Sequence, residues 1–212
     1  MKLTPYKWLS FILCIILLAT PLATFSLAKK YRDIVTTIQK NAQNIIKRRT
    51  FAPFIQTFFP PQDNVRPLLR ALLEEETERI DIEAFQLTDK GIAESILTAY
   101  NRGVKINIIA DISALGRYSK MLQLHNVGIP IYIYPPQEEI SSPSQRYTLM
   151  HNKIMLFHSL SCIITGSTNF TKSGLESNQE NLLIIQDQTI FKEYQRQFEW
   201  LTKQATPLGY MS

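Results

Sequence analysis

Cysteine is almost missing from this chain: among 212 residues only Cys14 and Cys162 occur. Cys14 lies in an N-terminal apolar run, which leaves one cysteine for the folded part. A disulfide framework is thereby excluded, and so is a cysteine-based zinc site. No Asp, Glu and His set with metal-ligand spacing occurs either, so no metal and no cofactor are expected. Internal repeats and low-complexity tracts are absent. With 45% apolar residues, the remainder suits one globular domain of ordinary size plus extras, large enough to bury its own core.

The first extra is the leader. Lys2 and Lys7 precede Trp8 to Ala19, apolar except for Ser10, and Pro21 breaks the run. Ser26-Leu27-Ala28 has the small-x-small form of a cleavage site. Residues 1–28 thus read as a secretory signal peptide, with export to the periplasm or medium. The alternative is an uncleaved membrane anchor over residues 8–27, about the ~20 residues a span needs. Lys29, Lys30 and Arg32 directly after it favour that alternative.

The net charge of +5 is unevenly spread. Residues 29–49 hold seven Lys or Arg against Asp33 alone, whereas residues 50–212 hold 14 bases and 17 acids, a net −3. Ile34, Val35, Ile38, Ala42, Ile45 and Ile46 recur at helical spacing, so residues 29–50 read as a basic amphipathic arm. Such an arm can touch phosphates of nucleic acid or anionic lipid, giving residues 1–50 a possible membrane contact; a solvated helix face is the plain alternative.

Residues 51–212 form the expected catalytic domain. Strands are expected at 54–59, 79–87, 104–110, 129–134, 148–157, 161–165 and 181–186. Helices are expected from a cap at Asn64 to Glu78, from a cap at Asp89 to Arg102, at 117–126 and at 188–203. The alternation predicts an α/β fold with a mixed, largely parallel sheet flanked by helices. Residues 135–144 read as a polar, functional loop.

Within this frame "MHNKIMLFHSLSCIITGSTNF", residues 150–170, stands out. Strand alternation puts His151 and Lys153 on one face, about 7 Å apart along the chain. The next strand ends in Gly166-Ser167-Thr168-Asn169. A glycine there admits close approach of a ligand, Ser167 and Asn169 supply neutral donors, and the loop N–H groups can cradle an anion. Together these groups describe a phosphate pocket holding a nucleophile.

His151-x-Lys153, followed by Gly166-Ser-x-Asn169, resembles the signature of the phospholipase D superfamily. The resemblance extends over most of residues 51–203 and is nearest to the small single-motif members, bacterial endonucleases and their relatives. It implies a phosphodiesterase in which His151 forms a phosphohistidine, while Lys153, Ser167 and Asn169 stabilise the phosphoryl oxygens. Glu180 would orient the histidine. Gly166 and Thr168 would complete the substrate-binding rim, and lysine rather than a metal would do the electrostatic work. One motif per chain implies a homodimer with the site on its two-fold axis. His158 stands where the family motif has an aspartate.

The phosphodiester is left open: nucleic acid cleaved by an exported nuclease of broad specificity, or a phospholipid headgroup hydrolysed at a membrane. A degenerate, non-catalytic phosphate-binding member is the third reading, prompted by His158. Simpler roles are expected elsewhere. Cys162 is core, His125 a helix-end partner and His158 a turn residue. Glu74-Glu75-Glu76 reads as a solvated helix face. Phe51, Phe54, Phe58 and Phe59 read as core or a dimer patch. Arg146 and Tyr147 stand near enough to the motif to touch substrate.

Overall fold

The computed structural model describes residues 53–135 and 148–210. The leader, the basic arm, the two domain boundaries drawn before residue 51, Phe51, most of the polar loop, Arg146 and Tyr147 lie outside the described residues. Among those described, no helix is long and apolar enough to cross a membrane.

In chain order the elements are β1 (Phe54–Phe58), α1 (Arg66–Glu75), β2 (Arg79–Ala84), α2 (Lys90–Asn101), β3 (Lys105–Asp111), α3 (Met121–Asn126), β4 (Ile131–Tyr134), β5 (Lys153–Phe157), β6 (Cys162–Gly166), α4 (Lys172–Glu176), β7 (Leu182–Gln186), α5 (Gln188–Gln204) and β8 (Thr206–Pro207). A single turn of 3-10 helix, Ile112–Leu115, follows β3. The eight strands form one sheet ordered β1-β7-β6-β5-β2-β3-β4-β8.

The sheet is mixed, as expected, but parallel pairing is confined to β2–β3 and β3–β4. Every other pairing is antiparallel. The cause is connection length. Helical crossovers through α2 and α3 return the chain in the same direction, whereas the turn between β5 and β6 is too short for anything but a hairpin.

Both faces of the sheet are covered. Register pairs Asp81 with Leu156 and Glu83 with Ile154, and residues opposite one another share a face. Ile154 and Leu156 belong to the cluster formed with Ile109, Ile163, Ile185, Phe191, Phe198 and Leu201, so α5 covers this face. Ile80, Ile82 and Ala84 alternate to the other face. There Leu69, Leu72 and Leu73 of α1 and Ile92 and Ile96 of α2 are fully buried.

Most expected elements are present, with shifts that have local causes. Asp89 caps α2 by accepting the Ile92 N–H at 2.9 Å, and Gly103 closes it at φ +92°. The N-cap of α1 is Val65, without a side-chain bond, rather than Asn64. Helix α1 also stops at Glu75, because Glu76 turns inward. Its fully buried carboxylate accepts the N–H groups of Thr77, Glu78, Arg79 and Ser159. Glu74 and Glu75 are exposed as expected, but Glu76 is a core anchor. The helix expected over 117–126 is shortened to α3, and α4 was not anticipated. Phe54 and Phe58 are half-buried and Phe59 is exposed.

Candidate active site

His151 does not lie in the strand that was expected to carry it. The residues from 148 to 152 are irregular, and β5 begins at Lys153. Three contacts fix this segment. Met150 N–H donates to Asp111 Oδ2 at 2.8 Å. Phe85 N–H donates to the Asn152 carbonyl at 3.0 Å. Asn152 Nδ2 donates to Glu83 Oε2 at 2.6 Å. Asp111 is itself held by the Ser113 N–H and hydroxyl. Each neighbour of the histidine is therefore bound to β2 or β3, while its ring remains exposed.

Phe85, just past the end of β2, joins the two motif side chains. The His151 ring lies on it with centroids 4.3 Å apart and planes at 56°. Lys153 Nζ sits 4.8 Å from the same centroid, a cation–π contact, and donates to the His151 carbonyl. Lys153 is buried to 5% exposure. Burial lowers its pKa, and the nearby charges of Glu180 and Asp111 offset only part of that.

The second half of the site arrives from β6. The Phe170 carbonyl accepts the N–H groups of Thr88 and Asp89, and Phe170 N–H donates to Gln86. The loop after β6 is thereby laced to the loop after β2. Arg66 secures it further, bonding Asp89 at 2.5 Å and Glu176 of α4. Ser167 is exposed; its hydroxyl donates to Glu180 and accepts the Asn181 N–H at 3.0 Å.

The expected site residues divide here. His151, Lys153, Ser167 and Glu180 share one charged neighbourhood, but Glu180 bonds Ser167 and Asn178 rather than the His151 ring. That ring makes no hydrogen bond among the described residues. Asn169 Oδ1 is buried and has no partner among them, leaving an acceptor unspent. Gly166 and Thr168 both meet the Asn181 backbone. A Cβ on Gly166 would stand 2.3 Å from the Asn181 carbonyl oxygen, so the backbone just before β7 approaches closely here. Thr168 is buried and its hydroxyl donates to that same carbonyl at 2.8 Å.

His158 is more than a turn residue. Its Nε2 is 2.8 Å from Oδ2 of Asp81, and its ring meets Phe191 edge-on at 5.1 Å. Arg79 Nε and Asn107 Nδ2 each bond the other oxygen of Asp81 at 2.9 Å. The negative charge that the family motif carries at this strand end is supplied here by the neighbouring strand. Cys162 is fully buried; burial, with Glu76 adding to it, pushes its thiol pKa up, so it remains an inert core residue.

The family pattern described as "Cardiolipin synthase, PLD-like domain" matches residues 69–202. The chain belongs to the phospholipase D-like family. Curated relatives of this phospholipase D-like chain include the "Phospholipase D" of Rickettsia conorii, 28% identical over 153 residues, covering 72% of this chain and 70% of the relative. The "Mitochondrial cardiolipin hydrolase" of Xenopus tropicalis is 27% identical over 154 residues, covering 71% and 67%. Among solved structures, Nuc from Salmonella typhimurium shares 22% identity at a TM-score of 0.62, over 74% of this chain and 98% of that one. NucT from Helicobacter pylori shares 19% identity at a TM-score of 0.66, over 74% and 100%. Membership places this phospholipase D-like chain among the phosphodiesterases.

Sequence reading missed Phe85, Glu83, Asp81 and Asp111. The first has no sequence signal beyond its place at a strand end. Asp81 and Glu83 alternate with apolar residues in "RIDIEAF", which reads as a strand with one wet face, and Asp111 closes the apolar run of "INIIAD".

Proposed function

We propose that this chain is a metal-independent phosphodiesterase that works through a phosphohistidine on His151 in a homodimer, with nucleic acid as its substrate class. The observation that carries this reading is the shared Phe85 platform, which holds the exposed His151 ring and the buried Lys153 ammonium side by side. A ring nitrogen of His151 attacks phosphorus, and the bond from phosphorus to the leaving oxygen breaks. Lys153, with Ser167 and Asn169, stabilises the charge gathering on the phosphoryl oxygens. The leaving oxygen takes its proton from His151 of the partner subunit. Water then attacks phosphorus, the P–N bond breaks, and the water's proton passes to that second imidazole, restoring both rings. The Asp81–His158 pair favours an active enzyme over a degenerate binder, because the strand end keeps its buried negative charge.

A second reading, hydrolysis of a phospholipid headgroup, is supported by two observations. The curated relatives carry lipid-directed names, and Leu149 beside the motif is 50% exposed. Export through residues 1–28 belongs to the first reading; in the second, residues 1–50 hold the enzyme at the bilayer.

The test incubates the purified full-length protein in EDTA with single-stranded DNA and, separately, with labelled phospholipid vesicles. Nicking supports the first reading and headgroup release the second. His151→Ala should abolish either activity and leave the dimer intact in sedimentation. Turnover that demands Mg²⁺, or phosphate label trapped on a residue other than His151, overturns the mechanism.

A further inference from the structure

At the opposite end of β2 from Phe85 lies a cleft of about 690 Å³. Six residues of extended chain, about 20 Å at ~3.3 Å each, separate Arg79 at its mouth from Phe85 at the catalytic end. The cleft is lined by Arg79, Lys105 and Asn107 from the starts of β2 and β3, Tyr100 from α2, Tyr132 from β4 and Lys203 from α5.

Arg79 is held in place. Its Nε bonds Asp81 Oδ1 at 2.9 Å, and Asp81 is fully buried. The same oxygen takes the Asn107 amide, and the other takes His158. The two terminal nitrogens of the guanidinium bond nothing among the described residues, so a rigid fork of donors is left over. Lys105 and Lys203 form no ion pair among the described residues. Among the described residues, the only carboxylate on the cleft lining is Glu199, which accepts from Gln195. This cationic spot stands in a stretch, residues 50–212, with three more acids than bases.

The walls supply a second character. Tyr100, Tyr132, Pro130 and Phe198 present apolar and aromatic surface. At Gly128 the backbone runs at φ +98°, and a Cβ there would stand 2.9 Å from the Tyr100 hydroxyl. That glycine keeps the space beside the tyrosine clear. The volume is too large for a bare phosphate and within the range of small-molecule sites.

We propose that this rear cleft is a second binding site, separate from the catalytic pocket, for a phosphate monoester with a flat ring body, of mononucleotide class. Arg79, Lys105 and Lys203 take the phosphate, and Tyr100 and Tyr132 flank the ring. The free mononucleotide and the phosphorylated end of a nucleic-acid strand present the same chemistry. The proposal stands whether or not the catalytic reading does.

Calorimetric titration of the full-length protein tests it, with adenosine 5′-monophosphate, adenosine, and a 5′-phosphorylated oligodeoxynucleotide with its unphosphorylated counterpart. The monophosphate should bind saturably, and adenosine at least tenfold more weakly. Preference for the phosphorylated oligonucleotide over the free nucleotide would identify a strand end as the natural source. Arg79→Ala leaves Asp81 underpaired and risks the fold, so the deciding variant is Lys105→Glu/Lys203→Glu, both residues being exposed. It should weaken monophosphate binding at least tenfold and leave phosphodiester turnover unchanged. Lys153→Ala should bind as the wild type does. Monophosphate binding that survives the double charge reversal, is lost in Lys153→Ala, or is matched by adenosine overturns the proposal.

Discussion

His158 Nε2 lies 2.8 Å from Asp81 Oδ2, across the pairing of β5 with β2. The imidazole thus stands at the motif position, and the carboxylate it meets stands on the neighbouring strand. Restoring the family residue by His158→Asp would therefore set two carboxylates against each other in a buried place. The expected loss is about 3 kcal/mol of unfolding free energy, measured by urea denaturation at pH 7. His158→Asp/Asp81→Asn should recover most of it, since the new amide can donate to the new carboxylate. A stable single variant would sink this account.

Asp81 also predicts an acid limb. Burial alone would raise its pKa, but the bonds from His158, Arg79 and Asn107 outweigh that, and the net shift is downward. An acid with a depressed folded pKa contributes stability that is present above its unfolded value of 3.8 and lost as pH falls through the folded value. Asp81→Asn should flatten the urea midpoint below about pH 4, near the ordinary aspartate range.

Glu83 has the opposite sign. Burial raises its pKa to about 6, against an ordinary value of 4.5; the bond from Asn152 lowers it and nearby Asp81 raises it. Its protonated form is the one the fold favours. Stability is fully present below the unfolded value and is lost as pH rises through about 6. The window spans pH 4.5 to 6, and the expected loss is about 2 kcal/mol. Glu83→Gln should remove this slope, read from denaturation series on both sides of the window. A slope that persists in the variant would place its source elsewhere.

Phe85→Ala should lower kcat by roughly 10- to 100-fold with little change in KM, because it removes the surface that aligns His151 with Lys153. Phe85→Tyr should retain most of the activity. Equal rates for wild type and Phe85→Ala would show that the ring contributes packing alone.

Glu76→Ala should cost about 3 kcal/mol, since four backbone N–H groups lose a buried charged acceptor. The urea midpoint should fall at constant m, with per-site turnover of the folded fraction unchanged. A shift within about 0.5 kcal/mol, the range of an ordinary surface substitution, would mean that water replaces the carboxylate there.

The motif and most of the strands were legible in the sequence because both are local. Apolar periodicity, a cap at Asp89 and a glycine at Gly103 act within a few residues, and His151, Lys153, Ser167 and Asn169 stand in one short stretch. Glu83 and Asp81 were not legible as buried groups. Their alternation with Ile80 and Ile82 describes a strand with one wet face, and only the packing of α5, more than 100 residues later, dries that face. Glu76 reads as part of a solvated helix face for the same reason, since Ser159, 83 residues away, shares its carboxylate.

The sequence by itself determined the class of fold and the His151, Lys153, Ser167 and Asn169 motif of the candidate site, since spacing along one or two strands suffices for these. Tertiary structure decided which carboxylates are buried, that Gly166 and Thr168 lie against the Asn181 backbone, that Phe85 touches both motif side chains, and that Arg79 is braced at the mouth of a second cleft. Those outcomes depend on which distant elements meet, and burial and hydrogen-bond geometry come into being only when they do.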